Sequence, residues 1–231
     1  MRRLALLLAL FAFRAEAGED PDVLWKLVSG KCVPEQMAGQ PPKPCTSVDL
    51  TRGVVLLKDL EGVAQYLAIP TAKVTGIEDP AVLADGNSMV VGWEGRLLVE
   101  AKLGRALPRD GVSLAVNSVS ARSQNQLHVH VDCVEQSVRT TLAGVTLGMD
   151  WTPLPVKLAG NAYIGRWLPG EAVTGNPYRM LADHVGGPIA HWSIAVVGAT
   201  LPGGMPGFML LATEGPTAHA EELQDHTCRG Y

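Results

Sequence analysis

The residues best equipped for chemistry form one run, Gln126-Leu127-His128-Val129-His130-Val131-Asp132-Cys133. Leu127, Val129, Val131 and Cys133 alternate with Gln126, His128, His130 and Asp132. Alternation of period two is the mark of a half-buried strand, one face in a core and the other free to present side chains. Two of the chain's six histidines share the polar face, two residues and so about 7 Å apart. Three readings fit. The pair can be incidental on a surface strand. His-x-His on a strand can supply two zinc ligands, although no third ligand with recognisable spacing follows. Or one imidazole is a nucleophile with a helper beside it, acting on phosphorus, because neutral imidazole is available near pH 6.5 and forms covalent intermediates. Asp132, on the same face, can orient the His130 ring or simply end the strand. His184, His191 and His219 have no motif around them and read as surface residues.

Such a strand needs neighbours to pair with. Val112–Val119 reads as its partner, with the polar loop 120–124 between the two, which makes a hairpin. Residues 53–59 and 63–70 read as an earlier hairpin, turning at Leu60-Glu61-Gly62 and ended by Pro70. A helix opens at Asp79-Pro80, breaks near Gly86-Asn87, and runs to a C-cap at Gly104. Short helices are expected at 21–28, 135–142 and from Asn176-Pro177 to Val185, with a loop over 30–46. Further strands are expected near 154–158, 162–167, 189–199 and 208–213, and 221–226 reads as a short polar helix or tail. Strand pairs separated by helices predict an α+β fold built on an antiparallel sheet.

Composition is that of a globular protein with a real core: 231 residues, 47% hydrophobic and 18% charged. A net charge of −4 argues against a nucleic-acid partner. The chain begins with Met1-Arg2-Arg3, an apolar run from Leu4 to Phe13, and Ala15-Glu16-Ala17. That is the pattern of a secretory signal peptide over residues 1–17, with an uncleaved membrane anchor as the alternative. Residues 18–231 would be the working domain, exported to the periplasm or its membrane face. Export gives the four cysteines a meaning, because an even count in an oxidising compartment reads as disulfides. Three pairings are possible. Cys32 and Cys45 bracket a Pro/Gly-rich loop that closes easily, leaving Cys133 to pair with Cys228.

The hairpin ending in Ile-Pro, the helix, the strand with Asn117 and the run Ser123-x-x-Gln126-x-His128-x-His130 together resemble the histidine-triad superfamily. The three triad positions fall on Gln126, His128 and His130, with glutamine in place of the first histidine. Gln65-Tyr66-Leu67-Ala68-Ile69-Pro70 resembles that superfamily's hairpin strand. A closer resemblance is carried by Leu24-Trp25-Lys26, Cys32-Val33-Pro34, Leu57-Lys58-Asp59, Gly76-Ile77-Glu78, Leu107-Pro108-Arg109, Arg122-Ser123-Gln124-Asn125-Gln126-Leu127-His128 and Glu221-Glu222-Leu223-Gln224-Asp225-His226. Over residues 24–228 the chain is similar to the CDP-diacylglycerol diphosphatases.

The resemblance implies a histidine-triad-like antiparallel sheet with flanking helices and a C-terminal elaboration. It also implies hydrolysis of CDP-diacylglycerol to CMP and phosphatidate, with no metal or cofactor. His128 would be the nucleophile toward the cytidine-side phosphorus. His130, Ser123 and Asn117 would hold the phosphoryl oxygens, Arg122 would offer a guanidinium fork, and Gln126 would hydrogen-bond the leaving or attacked oxygen. Asp59 matches the ribose contact of the superfamily, and His226 sits where a 133–228 disulfide would bring it toward the strand. The substrate would be met at a membrane surface, with no protein partner; Trp151, Trp167 and Leu168 read as ordinary core or, beside the catalytic hairpin, as an apolar access path. Other readings are a hydrolase or nucleotidyltransferase for another nucleotide diphosphate, a secreted His-x-His zinc protein, and a non-catalytic nucleotide- or lipid-binding relative. Retention of His128 argues against the last.

Overall fold

The computed structural model describes residues 20–216 and 219–231. The expected signal segment, residues 1–17, lies outside them. The segments rich in Val, Leu, Ile and Ala become strands, because branched and apolar side chains fit a pleated surface covered on both sides. They are β1 (Ser47–Asp49), β2 (Val54–Lys58), β3 (Tyr66–Pro70), β4 (Val112–Val116), β5 (Val129–Cys133), β6 (Thr152–Leu158), β7 (Asn161–Pro169), β8 (Trp192–Thr200) and β9 (Pro206–Glu214). All nine join one antiparallel sheet in the order β1-β2-β3-β5-β4-β8-β9-β7-β6. The α+β architecture is therefore as expected, and both hairpins form. β1 was not anticipated, since three residues are too few for alternation to register.

The helices are α1 (Val23–Leu27), α2 (Val33–Met37), α3 (Ala81–Ala84), α4 (Asn87–Leu103), α5 (Gln136–Leu142) and α6 (Pro177–Val185). A π turn, Val28–Cys32, joins α1 to α2. The expectation of a loop from residue 30 is corrected here. The helical run continues through the π turn, and Pro34 follows it in the first turn of α2, where the locally irregular bonding tolerates a residue without an N–H. The break before α4 falls at Asp85-Gly86, and Gly104 closes α4 in the left-handed conformation at φ +69°.

α4 lies directly beneath the strand that carries the histidines. Two glycines permit this. A Cβ on Gly95 would meet Leu56 at 3.1 Å, and one on Gly92 would already touch Leu114 and Val129 at 3.4 and 3.5 Å. Met89, Trp93 and Val99 fill the rest of that interface. Val129, Val131 and Cys133 point toward α4 and share its core.

The opposite face of β5 carries His130 and Asp132. In register across the sheet, His130 stands between Leu67 and Ala115, and Ala115 is followed by Ala195. Leu67 belongs to an apolar cluster with Val28, Cys32, Cys45 and Ile69. Ala115 and Ala195 belong to another, with Val138, Leu142 and Trp167. The polar residues thus occupy a strip between two apolar clusters on one side of the sheet.

The C-terminal segment closes over that strip. After a 3-10 turn, Ala220–Leu223, Gln224 bridges to Val134 and the Asp225 N–H donates to the Cys133 carbonyl at 2.9 Å. Cys133–Cys228 bonds the segment to β5, and Cys32–Cys45 closes the N-terminal loop. Both pairings match expectation. Because the segment roofs the polar side, all five residues of β5 are buried. The half-exposed strand read from alternation is corrected accordingly. Of the two readings of Trp151, Trp167 and Leu168, the core reading holds. Trp151, Trp167 and Leu168 are 8%, 4% and 5% exposed, and the Trp151 indole donates to the Met180 carbonyl at 3.1 Å. They are core.

Candidate active site

His128 precedes the first residue of β5, and His130 is its second. Freed from the ladder, His128 leans over its neighbour. The rings meet edge to face with centroids 4.7 Å apart, closer than two regular strand positions allow. His128 Nδ1 lies 2.7 Å from the Gln126 carbonyl oxygen. A carbonyl only accepts, so Nδ1 carries the proton and Nε2 carries a lone pair. Burial pushes the His128 pKa below its usual 6.5 and keeps that lone pair free.

His130 is set the opposite way. The Gln65 amide nitrogen donates to His130 Nδ1 at 2.8 Å and to a Glu221 oxygen at 3.2 Å. Glu221 Oε1 also stands 3.1 Å from this Nδ1; with one Gln65 amide hydrogen assigned to the carboxylate and one to the ring, Nδ1 is the acceptor. The His130 proton then sits on Nε2. That atom is buried and has no partner among the described residues. Burial and the adjacent His128 ring lower the His130 pKa. The two imidazoles therefore present complementary atoms, a lone pair on one and an N–H on the other.

Glu221 ties this arrangement to β4 and to the C-terminal segment. Its second oxygen accepts from the Asn117 amide at 2.9 Å, and its own N–H donates to Asn117 Oδ1 at 3.3 Å. Burial raises the Glu221 pKa, but His130, Asn117 and Gln65 together carry it below the usual value. It is a carboxylate. Beyond it, Asp132 accepts from His226 Nδ1 at 2.8 Å. That bond raises the His226 pKa, while burial raises that of Asp132. Gln224 donates to the His130 carbonyl and to Ser113, at 3.2 and 3.1 Å.

The expected residues fall into groups. His128 and His130 come together. Asn117 spends both ends of its amide on Glu221. Gln126 donates to the carbonyls of Pro70 and Ala72 at 3.0 and 2.8 Å and accepts from the Val74 N–H at 3.3 Å. Its side chain fixes the loop after β3, and its carbonyl sets the His128 tautomer. Arg122 forks onto the Glu78 carboxylate at 2.5 and 2.6 Å, so its two terminal nitrogens are engaged within the protein. Ser123 is exposed on the preceding loop. Asp59 follows β2, with burial raising its pKa and the nearby His128 acting against that rise. Asp132 takes His226, not His130, as its ring.

Gln65, Glu221 and His226 complete the cluster; the sequence brings His226 toward the strand through the 133–228 disulfide but gives Gln65 and Glu221 no role beside His130. Gln65 lies 65 positions from His130, and Glu221 lies 156 from Gln65. No spacing rule spans such distances. The one signal was the repeat of hairpin and C-terminal motifs in a shared family pattern, which marked the stretches without assigning the contacts.

Paired imidazoles on a rigid strand are chemically able to act on phosphorus, one through a lone pair and the other through an N–H. Residues 19–230 match the model of the family described as CDP-diacylglycerol pyrophosphatase, and the chain belongs to that family. A protein from Yersinia pestis named CDP-diacylglycerol pyrophosphatase is 36% identical over 221 residues, spanning 90% of this chain and 84% of its own length.

Proposed function

We propose that this protein hydrolyses CDP-diacylglycerol to CMP and phosphatidate through a cytidylyl group carried on His128. The observation behind this reading is the buried, edge-to-face pair of imidazoles and the partners of each Nδ1. A neutral ring whose Nδ1 donates to the Gln126 carbonyl offers Nε2 to phosphorus. Its neighbour, edge to face with centroids 4.7 Å apart, holds a buried Nε2 with no partner among the described residues. In the first step His128 Nε2 bonds to the cytidine-side phosphorus, and the bond to the bridging oxygen breaks with its electron pair leaving on phosphatidate. In the second, water attacks the same phosphorus and the phosphorus–nitrogen bond breaks, returning His128. His130 Nε2–H donates to a non-bridging oxygen, where negative charge builds. Gln65 and Glu221 hold that ring, Asn117 holds Glu221, and Gln126 holds His128. Asp59 is assigned to the ribose hydroxyls and Ser123 to the phosphoryl oxygens.

The substrate is a membrane lipid, so the site must open toward a bilayer. Leu60 is 99% exposed and Val63 is 51% exposed on the loop directly after Asp59. That loop is bonded to the site through the Val63 N–H and the His226 carbonyl, 2.9 Å apart. We assign the bilayer contact to this loop, in place of the buried Trp151, Trp167 and Leu168. Export to the periplasm accords with the two disulfides. Among the described residues, no helix is long and apolar enough to cross a membrane.

The reading is tested by turnover of CDP-diacylglycerol beside CDP-alcohols and dinucleoside polyphosphates. CDP-diacylglycerol is expected to give the highest kcat/KM, with CMP as the nucleotide product. Preference for a dinucleoside polyphosphate, or release of CDP in place of CMP, would overturn it.

A further inference from the structure

The pyrophosphate of a CDP-lipid brings two negative charges into a site that already holds Glu221 and Asp132. The cations nearby are mostly engaged. Arg122 is locked on Glu78, Lys58 donates to the carbonyls of Asp59, Glu61 and Gly62, and Arg105 donates to the Cys228 carbonyl. His226 differs. Its Nδ1 is committed to Asp132 at 2.8 Å, but its Nε2 is 3.7 Å from the nearest Glu221 oxygen. That gap is too long for a hydrogen bond. The side chain is 39% exposed, whereas those of His130 and Asp132 are buried. The ring thus borders the cluster at its open side.

We propose that His226 is a catalytic residue for the lipid-side phosphate: its Nε2–H binds that phosphate and protonates it as phosphatidate leaves. This rests on the reading of His128 as nucleophile. In the first step the proton on His226 Nε2 passes to the departing phosphate oxygen, which has received the electron pair of the broken bond. In the second step water gives a proton back to His226 Nε2 as its oxygen bonds to phosphorus. The ring ends the cycle as an imidazolium, and protons balance.

The groups facing His226 set its charge. Asp132, Glu221 and Asp59 favour the imidazolium, Asp225 senses it, and His130 opposes it. The Asp132 bond holds the pKa above the usual imidazole value. His226 therefore keeps its proton to a higher pH than His128 does. The position of the ring is fixed from three sides. Cys228 is bonded to β5 two residues away, the Val63 N–H donates to the His226 carbonyl, and Gly62, at φ +65°, lets the loop close over it. A Cβ on Gly62 would come within 3.2 Å of that carbonyl.

Two substrates separate this role from a structural one. CDP-diacylglycerol presents a lipid-side phosphate for His226 to hold and protonate. The 4-nitrophenyl ester of CMP has a leaving group of similar acidity but no phosphate there to hold, yet it uses the same attack by His128. His226→Asn places an amide nitrogen where Nδ1 stood, keeping the Asp132 bond while removing Nε2. It is expected to lose about 100-fold or more in kcat/KM on CDP-diacylglycerol, and at least about tenfold less than that on the ester. His226→Gln restores a neutral N–H near the Nε2 position. It is expected to recover part of KM but to lose the alkaline fall in kcat/KM that the wild type shows as His226 deprotonates. Equal losses on both substrates, or an alkaline limb unchanged in His226→Gln, would overturn the assignment. His128→Ala is the control for the underlying reading. Loss of both substrates supports the nucleophile, and retention of both would remove it whatever His226 does.

Discussion

At His128 one hydrogen bond decides the chemistry. The Gln126 carbonyl accepts from the Nδ1 N–H and leaves the lone pair on Nε2, the atom proposed as nucleophile. His128→Ala is expected to lower kcat by at least about 10^4-fold, since nothing else in the site can form the covalent intermediate. His130→Ala should cost about 100- to 1000-fold, the usual loss for one donor to developing charge. Gln65→Leu leaves the His130 proton free to move to Nδ1 beside Glu221. Steady-state kinetics should then show a fall of about 100-fold in kcat with little change in KM, because the donor is lost mainly where charge develops. A loss confined to KM would contradict that role. The wild-type pH profile should have its acid limb below 6.5, because burial lowers the His128 pKa and the neutral form persists as pH falls. An acid limb above 6.5 would contradict the buried neutral nucleophile. The two histidines were legible from alternation and type alone. Their tautomers were not, because they depend on Gln65 and Glu221, which folding brings from 65 and 91 positions away.

Elements place those residues and keep them still. β5 is gripped from below by α4, which Gly92 and Gly95 allow to approach, and from above by the C-terminal segment. The Cys133–Cys228 disulfide closes a loop of 95 residues. Replacing both cysteines by serine should lower stability by about 2–5 kcal/mol, read as a shift in the denaturant midpoint. Activity should fall further than the stability loss explains, since Glu221, Gln224 and His226 all ride on the same segment. Full activity in a stably folded double variant would show that the disulfide does not position the site. The sequence reading recovered the two hairpins, the helix break at Gly86 and both disulfides. It missed the burial of the polar face, because alternation reports which residues share a side and not what lies over them. Asn117, Gln126 and Arg122 are marked for the substrate by the family resemblance alone. Each is polar and near the motif, but Glu221, the 70–74 loop and Glu78 take up their hydrogen bonds.

For the molecule as a whole, two apolar clusters on one side of the sheet flank a polar strip, and an exposed apolar loop stands at its edge. A lipid nucleotide needs both kinds of surface, polar for the pyrophosphate and apolar where the bilayer meets the protein. Leu60→Ser with Val63→Ser removes the exposed apolar atoms without altering charge. Turnover of CDP-diacylglycerol embedded in vesicles should fall at least about tenfold more than turnover of a short-chain, water-soluble analogue, given about 1.5–3 kcal/mol for a fully buried aliphatic side chain. Equal effects on the two substrates would place the bilayer contact elsewhere. Composition hinted at none of this. Tryptophan and leucine mark a core as readily as a membrane contact, and Trp151, Trp167 and Leu168 proved to be core.

The most direct measurement is a rapid-quench experiment with CDP-diacylglycerol labelled in the cytidylyl phosphate, followed by peptide mapping. A cytidylyl group should appear on the peptide that contains His128 within a turnover. It should survive base and break in acid, as a phosphorus–nitrogen bond does. Label absent from that peptide, or a His128→Ala variant that turns over at a near-normal rate, would contradict the account.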